Sequence, residues 1–402
     1  MAEFTLTPGQ ENIRQMMHYI AKERVRPLAL QADKDGKYPD DFLLELQQMG
    51  IHGGAITDSG DDEKSKDSQE SEKKESQGFR MAAIASEELA WGDPALILSL
   101  PGPGLGGPPV RMMGTPEQKE KFFGVFKSPG LHYGAYATTE PGAGSDVSAI
   151  STTAKKDGDY YILNGVKCFI TNGAKADWTV IFATVDKSLG RAGHRAFVVE
   201  KGTPGFRVGK IEEKLGLKAS ETAELVLENC RVPVFNLLGG EEYYSQKAKG
   251  GFKGAMKTFD ATRPLVAAMA VGIARAAYEI GEEFLRKHFG AKAGYPRYRY
   301  YRDRLARVKA KIDAARLAVW KAVWMADIKK PNTKEASIAK ILGPEAAEEA
   351  TREVISIMGP YGLLKENYVE KLYRDQKVYN IFEGTGQIQR IVISRRLQEQ
   401  YA

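Results

Sequence analysis

The chain has 402 residues, 43% of them hydrophobic, which excludes a largely disordered protein and admits two or three domains or one composite domain with a large core. Its 58 Lys and Arg stand against 52 Asp and Glu. The net charge of +6 is small beside those totals, so a dedicated nucleic-acid binder is excluded while phosphate-bearing ligands are suited.

The N-terminal MAEFTLTPGQENIRQMM lacks the basic segment and apolar run of a secretion signal. No stretch of the chain is expected to span a membrane, and the expected location is the cytoplasm. From Thr7 to about Lys127 the period is helical: Thr7 and Pro8 form a start signal, and Ile13, Met16, Met17 and Ile20 recur at helix spacing. Two segments interrupt this lobe. The charged tract from about Thr57 to Gln77 has almost nothing apolar to bury and is expected to be a surface loop. PGPGLGGPP, 101 to 109, cannot be regular helix through its prolines.

TTEPGAGSDV, Thr138 to Val147, lies where the helical lobe gives way to strands. Gly142 and Gly144 permit close approach of backbone amides to a ligand, and Thr138, Thr139 and Ser145 add hydroxyls; the same run also reads as a Pro-Gly turn. It is not a dinucleotide fingerprint, since its glycines are differently spaced and no βαβ helix follows. From about Leu131 to Val234 strand follows strand without crossover helices, predicting an antiparallel sheet or small barrel. YYILNG and VKCFITNG are expected to be joined by a hairpin turn at Asn164-Gly165. Cys168, inside this region, and Cys230 belong to no CxxC pair or Cys/His cluster, so a reducing compartment and no metal site are expected.

From about Lys249 helices return. LVAAMAVGIARAAYEIGEEFL, YRDRLARVKAKIDAARLAVWKAVWMADI, EASIAKILGPEAAEEATREVISIM and QIQRIVISRRL predict a four-helix bundle. The first begins after FDATRP, whose Asp260 and Arg263 suit a polar ligand or an ion pair. In YNIFEGTGQIQR, Glu383 has Tyr379, Ile381 and Phe382 as neighbours and a helix start after it. Burial would raise its pKa toward that of a general base, whereas the positive end of the helix would favour its anion; local sequence does not decide between them.

In this order, TTEPGAGSDV, NGVKCFITNG, RVPVFNLLG, FDATRPLVAAMAVG, HFG and YNIFEGTGQIQR resemble the acyl-CoA dehydrogenase family over about residues 5 to 398. The resemblance implies an α+β fold with a helical domain at 1–130, an antiparallel β-barrel at 131–238 and a helical bundle at 239–402. It further implies a homotetramer with FAD between barrel and bundle, and electrons passed to an electron-transferring flavoprotein. Glu383 stands at the position of the base that removes the α-proton of an acyl-CoA thioester while the flavin accepts the β-hydride. In another branch the base precedes the Arg of the FDATRP-like motif; that residue is Thr262, which cannot serve.

By the same matching, Tyr136, Thr138, Thr139, Gly144, Ser145, Phe169 and Thr171 would line the flavin, with Ser145 also at the thioester. Asp260, Arg263 and Gly384 would border the substrate, and Thr385 and Gln387 the FAD diphosphate. Arg286 and Phe289 match an RxxFG element that reaches a neighbouring subunit's FAD. Around it the chain departs from the family: His288 replaces a frequent Thr, Ser356 a frequent Gln, and Arg297 or Arg299 stands where neutral donors are usual. The scaffold also serves acyl-CoA oxidases, decarboxylating and cyclic-acyl-CoA dehydrogenases, and would serve a non-catalytic acyl-CoA-binding protein.

Overall fold

A computed structural model describes residues 4–53, 77–246, 250–290 and 296–401, with side chains at 246 and 250–259 left out. Most of the charged tract and the start of AKAGYPRYRYYR lie outside the described residues. The N-terminal part comprises α1 (Pro8–Ile20), α2 (Arg26–Asp35), α3 (Asp40–Gln48), α4 (Gly78–Gly92), α5 (Pro94–Ser99), α6 (Gly107–Met113) and α7 (Pro116–Gly124). Thr7 starts α1 as expected: its hydroxyl accepts from the Gln10 amide while the Gln10 side chain accepts from the Thr7 amide, a reciprocal cap. In PGPGLGGPP, Gly104–Gly106 form a 3-10 turn and α-helix begins only at Gly107, with Pro108 in the first turn, where no amide donor is needed.

The middle part is a curled sheet of β1 (Gly134–Ala137), β2 (Thr153–Asp157), β3 (Tyr160–Thr171), β4 (Trp178–Thr184), β5 (His194–Glu200), β6 (Phe206–Ile211) and β7 (Thr222–Pro233). Its order is β1-β4-β2-β3-β7-β6, with β5 on β4. Two features differ from the sequence reading. The sheet is mixed: β1 and β2 both pair with β4 in parallel, and the remaining pairings are antiparallel. Parallel pairing needs a long connection, and between β1 and β4 the motif loop and the β2–β3 hairpin provide it.

The hairpin turn is also displaced. β3 runs straight through Asn164-Gly165, with a register shift there, and the turn between β2 and β3 lies at Gly158-Asp159, Gly158 having φ 59°. Gly165 is required for another reason: a Cβ there would stand 2.4 Å from the Thr152 hydroxyl on the neighbouring chain segment. Every β4 residue is buried. Ile181 and Ala183 face one core with Phe197 and Val199; Trp178, Val180 and Phe182 face a second core with Val110, Met113 and Phe122 from α6 and α7. The alternation is the two-residue period of a strand buried on both faces.

The C-terminal part is α8 (Gly240–Gln246), α9 (Gly250–Phe289), α10 (Pro296–Asp327), α11 (Thr333–Met358), α12 (Val369–Gln376) and α13 (Gly386–Tyr401). Here α9, α10 and α11 share one apolar core with α1 to α5, so the N-terminal helices and the bundle are continuous. Gly272 of α9 allows the contact with α4: a Cβ there would lie 2.2 Å from the Glu87 carbonyl. Within α9, Asp260–Phe289 is long and apolar enough to cross a membrane, contrary to expectation, but 78% of its apolar window is buried in the protein, as a core helix requires.

One buried charge cluster ties the three parts together. Lys371 of α12 donates to Asp93, at the start of α5, and to Asp375, each at 2.6 Å, and Asp375 accepts the amide of Leu217 at 2.6 Å. All three charged side chains are fully enclosed.

Candidate active site

Pro264 interrupts α9 at the site. Having no amide hydrogen, it leaves the Asp260 carbonyl without its helical donor, and Asn332, just before α11, supplies one from Nδ2 at 3.4 Å. Asp260 is engaged elsewhere too: Thr333 donates to Oδ2 at 2.7 Å and Arg263 lies 3.5 Å from Oδ1, while burial raises its pKa. Its carboxylate therefore clamps α9 to the head of α11. The next turn of α9 turns inward, burying Thr262 and Arg263.

Glu383 meets that turn. It follows a 3-10 turn at Lys377–Asn380 and precedes α13, in a backbone conformation, φ 56°, that residues other than glycine rarely adopt. Thr262 Oγ1 donates to Glu383 Oε2 at 2.9 Å, and Arg263 Nε donates to the Glu383 carbonyl at 3.3 Å. Oε1 is buried without a hydrogen-bond partner among the described residues. Desolvation raises the Glu383 pKa, against the opposing pull of the Thr262 bond and the charges of Arg263 and Lys340. Of the sequence neighbours of Glu383, Tyr379 is fully buried with its ring 5.0 Å from that of Phe382, while Ile381 is exposed.

The motif loop is fixed from beneath. Glu140 accepts from the amides and hydroxyls of Ser151 and Thr152 and from Lys167 at 2.8 Å; Lys167 also donates to the Thr138 carbonyl at 3.2 Å. Burial opposes ionisation of Glu140, but Lys167 and the hydroxyls outweigh it and bring its pKa down to about 2. The Cys168 amide donates to the Thr139 carbonyl at 3.0 Å, joining TTEPGAGSDV to FITNG. Next to that link, Phe169 sits in a β3 bulge with φ 58° and 66% of its surface exposed, two residues from Thr171. Gly144 and Ser145 are exposed, and side chains at Gly142 or Gly144 would meet nothing within 4 Å. An exposed ring beside an open glycine loop suits a flat cofactor, so the residues present fit a flavin. Burial raises the Tyr136 pKa, the nearby Thr138 opposes the rise, and the Glu383 charge adds to it. The motif and the Glu383 loop thus face one region.

The remaining expected residues divide. Thr385 caps α13, its hydroxyl accepting the Ile388 amide at 3.3 Å, and Gln387 is exposed on the first turn; the Gly384 carbonyl accepts from Gln389 at 3.1 Å. Arg286 is exposed at the end of α9 with no ion pair among the described residues, and Phe289 packs against Tyr298 and Tyr301. His288 packs against Phe284 at 4.3 Å and Tyr361 at 5.8 Å, and Ser356 accepts from Arg304. Sequence reasoning missed Lys340 and the Glu140–Lys167 pair, each a charge inside an otherwise apolar or Gly-rich run. Thr262, set aside there as unable to act as a base, is the hydroxyl that holds the Glu383 carboxylate.

Three family models match in chain order: the N-terminal domain of acyl-CoA dehydrogenase over residues 7–126, the middle domain over 135–230 and the C-terminal domain over 249–398. The chain is 36% identical to a short-chain-specific acyl-CoA dehydrogenase of Clostridium acetobutylicum, covering 98% of this chain and 99% of that protein. It superposes on butyryl-CoA dehydrogenase from Megasphaera elsdenii with a TM-score of 0.84 at 36% identity, covering 98% of this chain and all of the other. A chain from a structural study of the electron transferring flavoprotein of Acidaminococcus fermentans matches equally, with a TM-score of 0.84, 36% identity and coverage of 98% and 99%. With the order of motifs, the mixed sheet between helical parts and these full-length similarities, the chain belongs to the acyl-CoA dehydrogenase family, the FAD-dependent oxidoreductases that dehydrogenate acyl-CoA thioesters.

Proposed function

We propose that this enzyme oxidises a short straight-chain acyl-CoA of the butyryl class to its 2-enoyl-CoA, with Glu383 as the base. The observation that carries the assignment is the state of the Glu383 carboxylate: Oε2 is held by Thr262, while Oε1 is buried, has no donor among the described residues and is available for a proton. Bound FAD supplies the hydride acceptor. Glu383 takes the α-proton on Oε1, and the raised pKa caused by desolvation makes the carboxylate a stronger base than an exposed one. Arg263 fixes the Glu383 backbone, and Thr262 fixes the rotation of the carboxylate about its last bond.

Tyr136, Thr138, Thr139, Gly144, Ser145, Phe169 and Thr171 would hold the flavin, and Arg263, Gly384 and Ser145 would lie along the thioester. Thr385 and Gln387 at the head of α13 suit a diphosphate, since a helix N-terminus favours an anion. The preference for a short tail rests on the short-chain and butyryl-CoA relatives, and the electron-transferring flavoprotein as acceptor rests on the Acidaminococcus study. We assign a homotetramer in the cytoplasm, in which Arg286 and Phe289 of one copy complete the FAD site of another.

The test is anaerobic bleaching of the flavin by butyryl-CoA. Wild-type protein should bleach rapidly, and Glu383→Gln should retain FAD and butyryl-CoA yet bleach slower by about two to four orders of magnitude. Substantial bleaching by the variant would place the base elsewhere. A response only to branched or dicarboxylic acyl-CoAs would overturn the substrate class, and rapid reoxidation of reduced enzyme by air would indicate an oxidase.

A further inference from the structure

Lys340 lies in the middle of α11 between Ala339 and Ile341, with none of its surface exposed. Its Nζ donates to the Tyr379 carbonyl at 2.5 Å and approaches the Gly384 carbonyl at 3.5 Å. These two carbonyls bracket the segment that carries Glu383. The ammonium also lies 5.9 Å from the centre of the Phe382 ring, inside the same segment. No carboxylate reaches ion-pair distance of Lys340 among the described residues, and the anion whose field acts on it is that of Glu383.

We propose that Lys340 is a positioning residue for the base: its ammonium pins the 379–384 segment from below at both ends, and its charge keeps Glu383 ionised between turnovers. The inference rests on Glu383 being the base. Two carbonyls can be bridged by a neutral donor at far lower desolvation cost than by a buried ammonium, so bridging alone does not account for a charge at this position. An anion that must re-form after each proton transfer does. Glu383 becomes neutral when it takes the α-proton, and the adjacent cation then favours release of that proton to solvent, restoring the carboxylate.

The other charged and titratable groups facing the pair are consistent with this role. From α9, Arg263 supports the Glu383 anion, but its charge is partly answered by Asp260. From β1, Tyr136 is a neutral phenol whose ionisation burial opposes. Tyr379, whose carbonyl takes the Lys340 bond, is likewise kept neutral, with Asp375, Asp93 and Lys371 acting on its far side. On α13, Arg390 is directed away, to Glu345 at 2.5 Å. Burial draws the Lys340 pKa down to about 8, which leaves the side chain charged at neutral pH.

The experiment is the pH dependence of anaerobic flavin bleaching by butyryl-CoA in FAD-loaded wild type, Lys340→Gln, Lys340→Met, Lys340→Arg and Glu383→Gln, with thermal melts as a control for folding. Lys340→Gln keeps a donor and loses the charge, so its acid limb should move to higher pH and its rate on the acid side, relative to its plateau, should fall several-fold below wild type. Lys340→Met should show the same displacement and a lower plateau, because the segment is no longer bridged. Lys340→Arg retains the charge and should keep the wild-type limb. If both neutral variants keep that limb while Glu383→Gln is inactive, the charge of Lys340 plays no part and the proposal is overturned. If Glu383→Gln bleaches like wild type, the assignment of the base fails first.

Discussion

At the scale of single residues, the behaviour of Glu383 follows from which of its oxygens is occupied. A carboxylate buried on all sides would be protonated and useless as a base; one held by several donors would be too stable an anion to take a proton. Here Thr262 and two nearby cations oppose the desolvation that raises the pKa, and one oxygen stays open. With Glu383 as the proposed base, a raised carboxylate pKa means that the ionised form it needs appears only as pH climbs through a value above the usual 4.5, so kcat/KM should have an acid limb there. The same shift costs stability: the folded state holds that proton more tightly than the unfolded chain, and loses stability as pH rises through the window. Thr262→Val removes the hydrogen bond that favours the anion. Its acid limb should lie at higher pH than wild type, with a several-fold loss of kcat/KM on the acid side; an unshifted profile would show that the hydroxyl does not act on the base.

At the scale of elements, both helices that carry the site are interrupted at the site, α9 by Pro264 and α11 by Pro344, which cannot donate to the Lys340 carbonyl. Helices were legible from period and caps where one apolar face is long, but α9 begins at Gly250 and runs through FDATRP, and the described residues that α13 buries are Gly386 and Gln389; of the neighbours read around Glu383, Tyr379 is buried while Ile381 is exposed. The sheet was legible only in part. Asn-Gly at 164–165 carries the chemistry of a hairpin turn, but a close pass of Thr152 uses the glycine instead, and the turn fell to the equally suitable Gly158-Asp159. Parallel pairing of β1 with β4, and the contact of Lys340 with a segment some forty residues later, join parts of the chain that no local pattern relates. Glu140 was hidden for the opposite reason: inside TTEPGAGSDV its neighbours suggest a loop, and its partner Lys167 lies in the next motif. Lys167→Met strands the Glu140 carboxylate, and should cost about 3–5 kcal/mol in urea denaturation at neutral pH. Because the Glu140 pKa is depressed, the wild-type contribution is complete above 4.5 and is lost as pH falls toward about 2, so the gap between variant and wild type should narrow across that range.

At the scale of the whole molecule, the homotetramer proposed above would bring the exposed end of α9 against another copy. Arg286 has no ion pair there among the described residues, while His288 and Phe289 are packed against aromatic neighbours that hold the helix end in place. If Arg286 clasps the pyrophosphate of FAD in a second subunit, Arg286→Ala should release flavin on dilution, seen as a rise in free-flavin fluorescence, whereas wild type retains it. Equal retention would remove Arg286 from the cofactor site. The cluster of Asp93, Lys371 and Asp375 has a different consequence, in the timing of synthesis. Lys371 is separated from Asp93 by 278 residues, and Asp375 from Leu217 by 158. Asp93 is enclosed among helices that emerge early from the ribosome, yet its cation arrives only after nearly all of the polypeptide has been made. Until α12 is released, Asp93 has Tyr38 and the Ala95 amide as donors but not its ion-pair partner, so the first third of the chain completes its packing only when the last has been made.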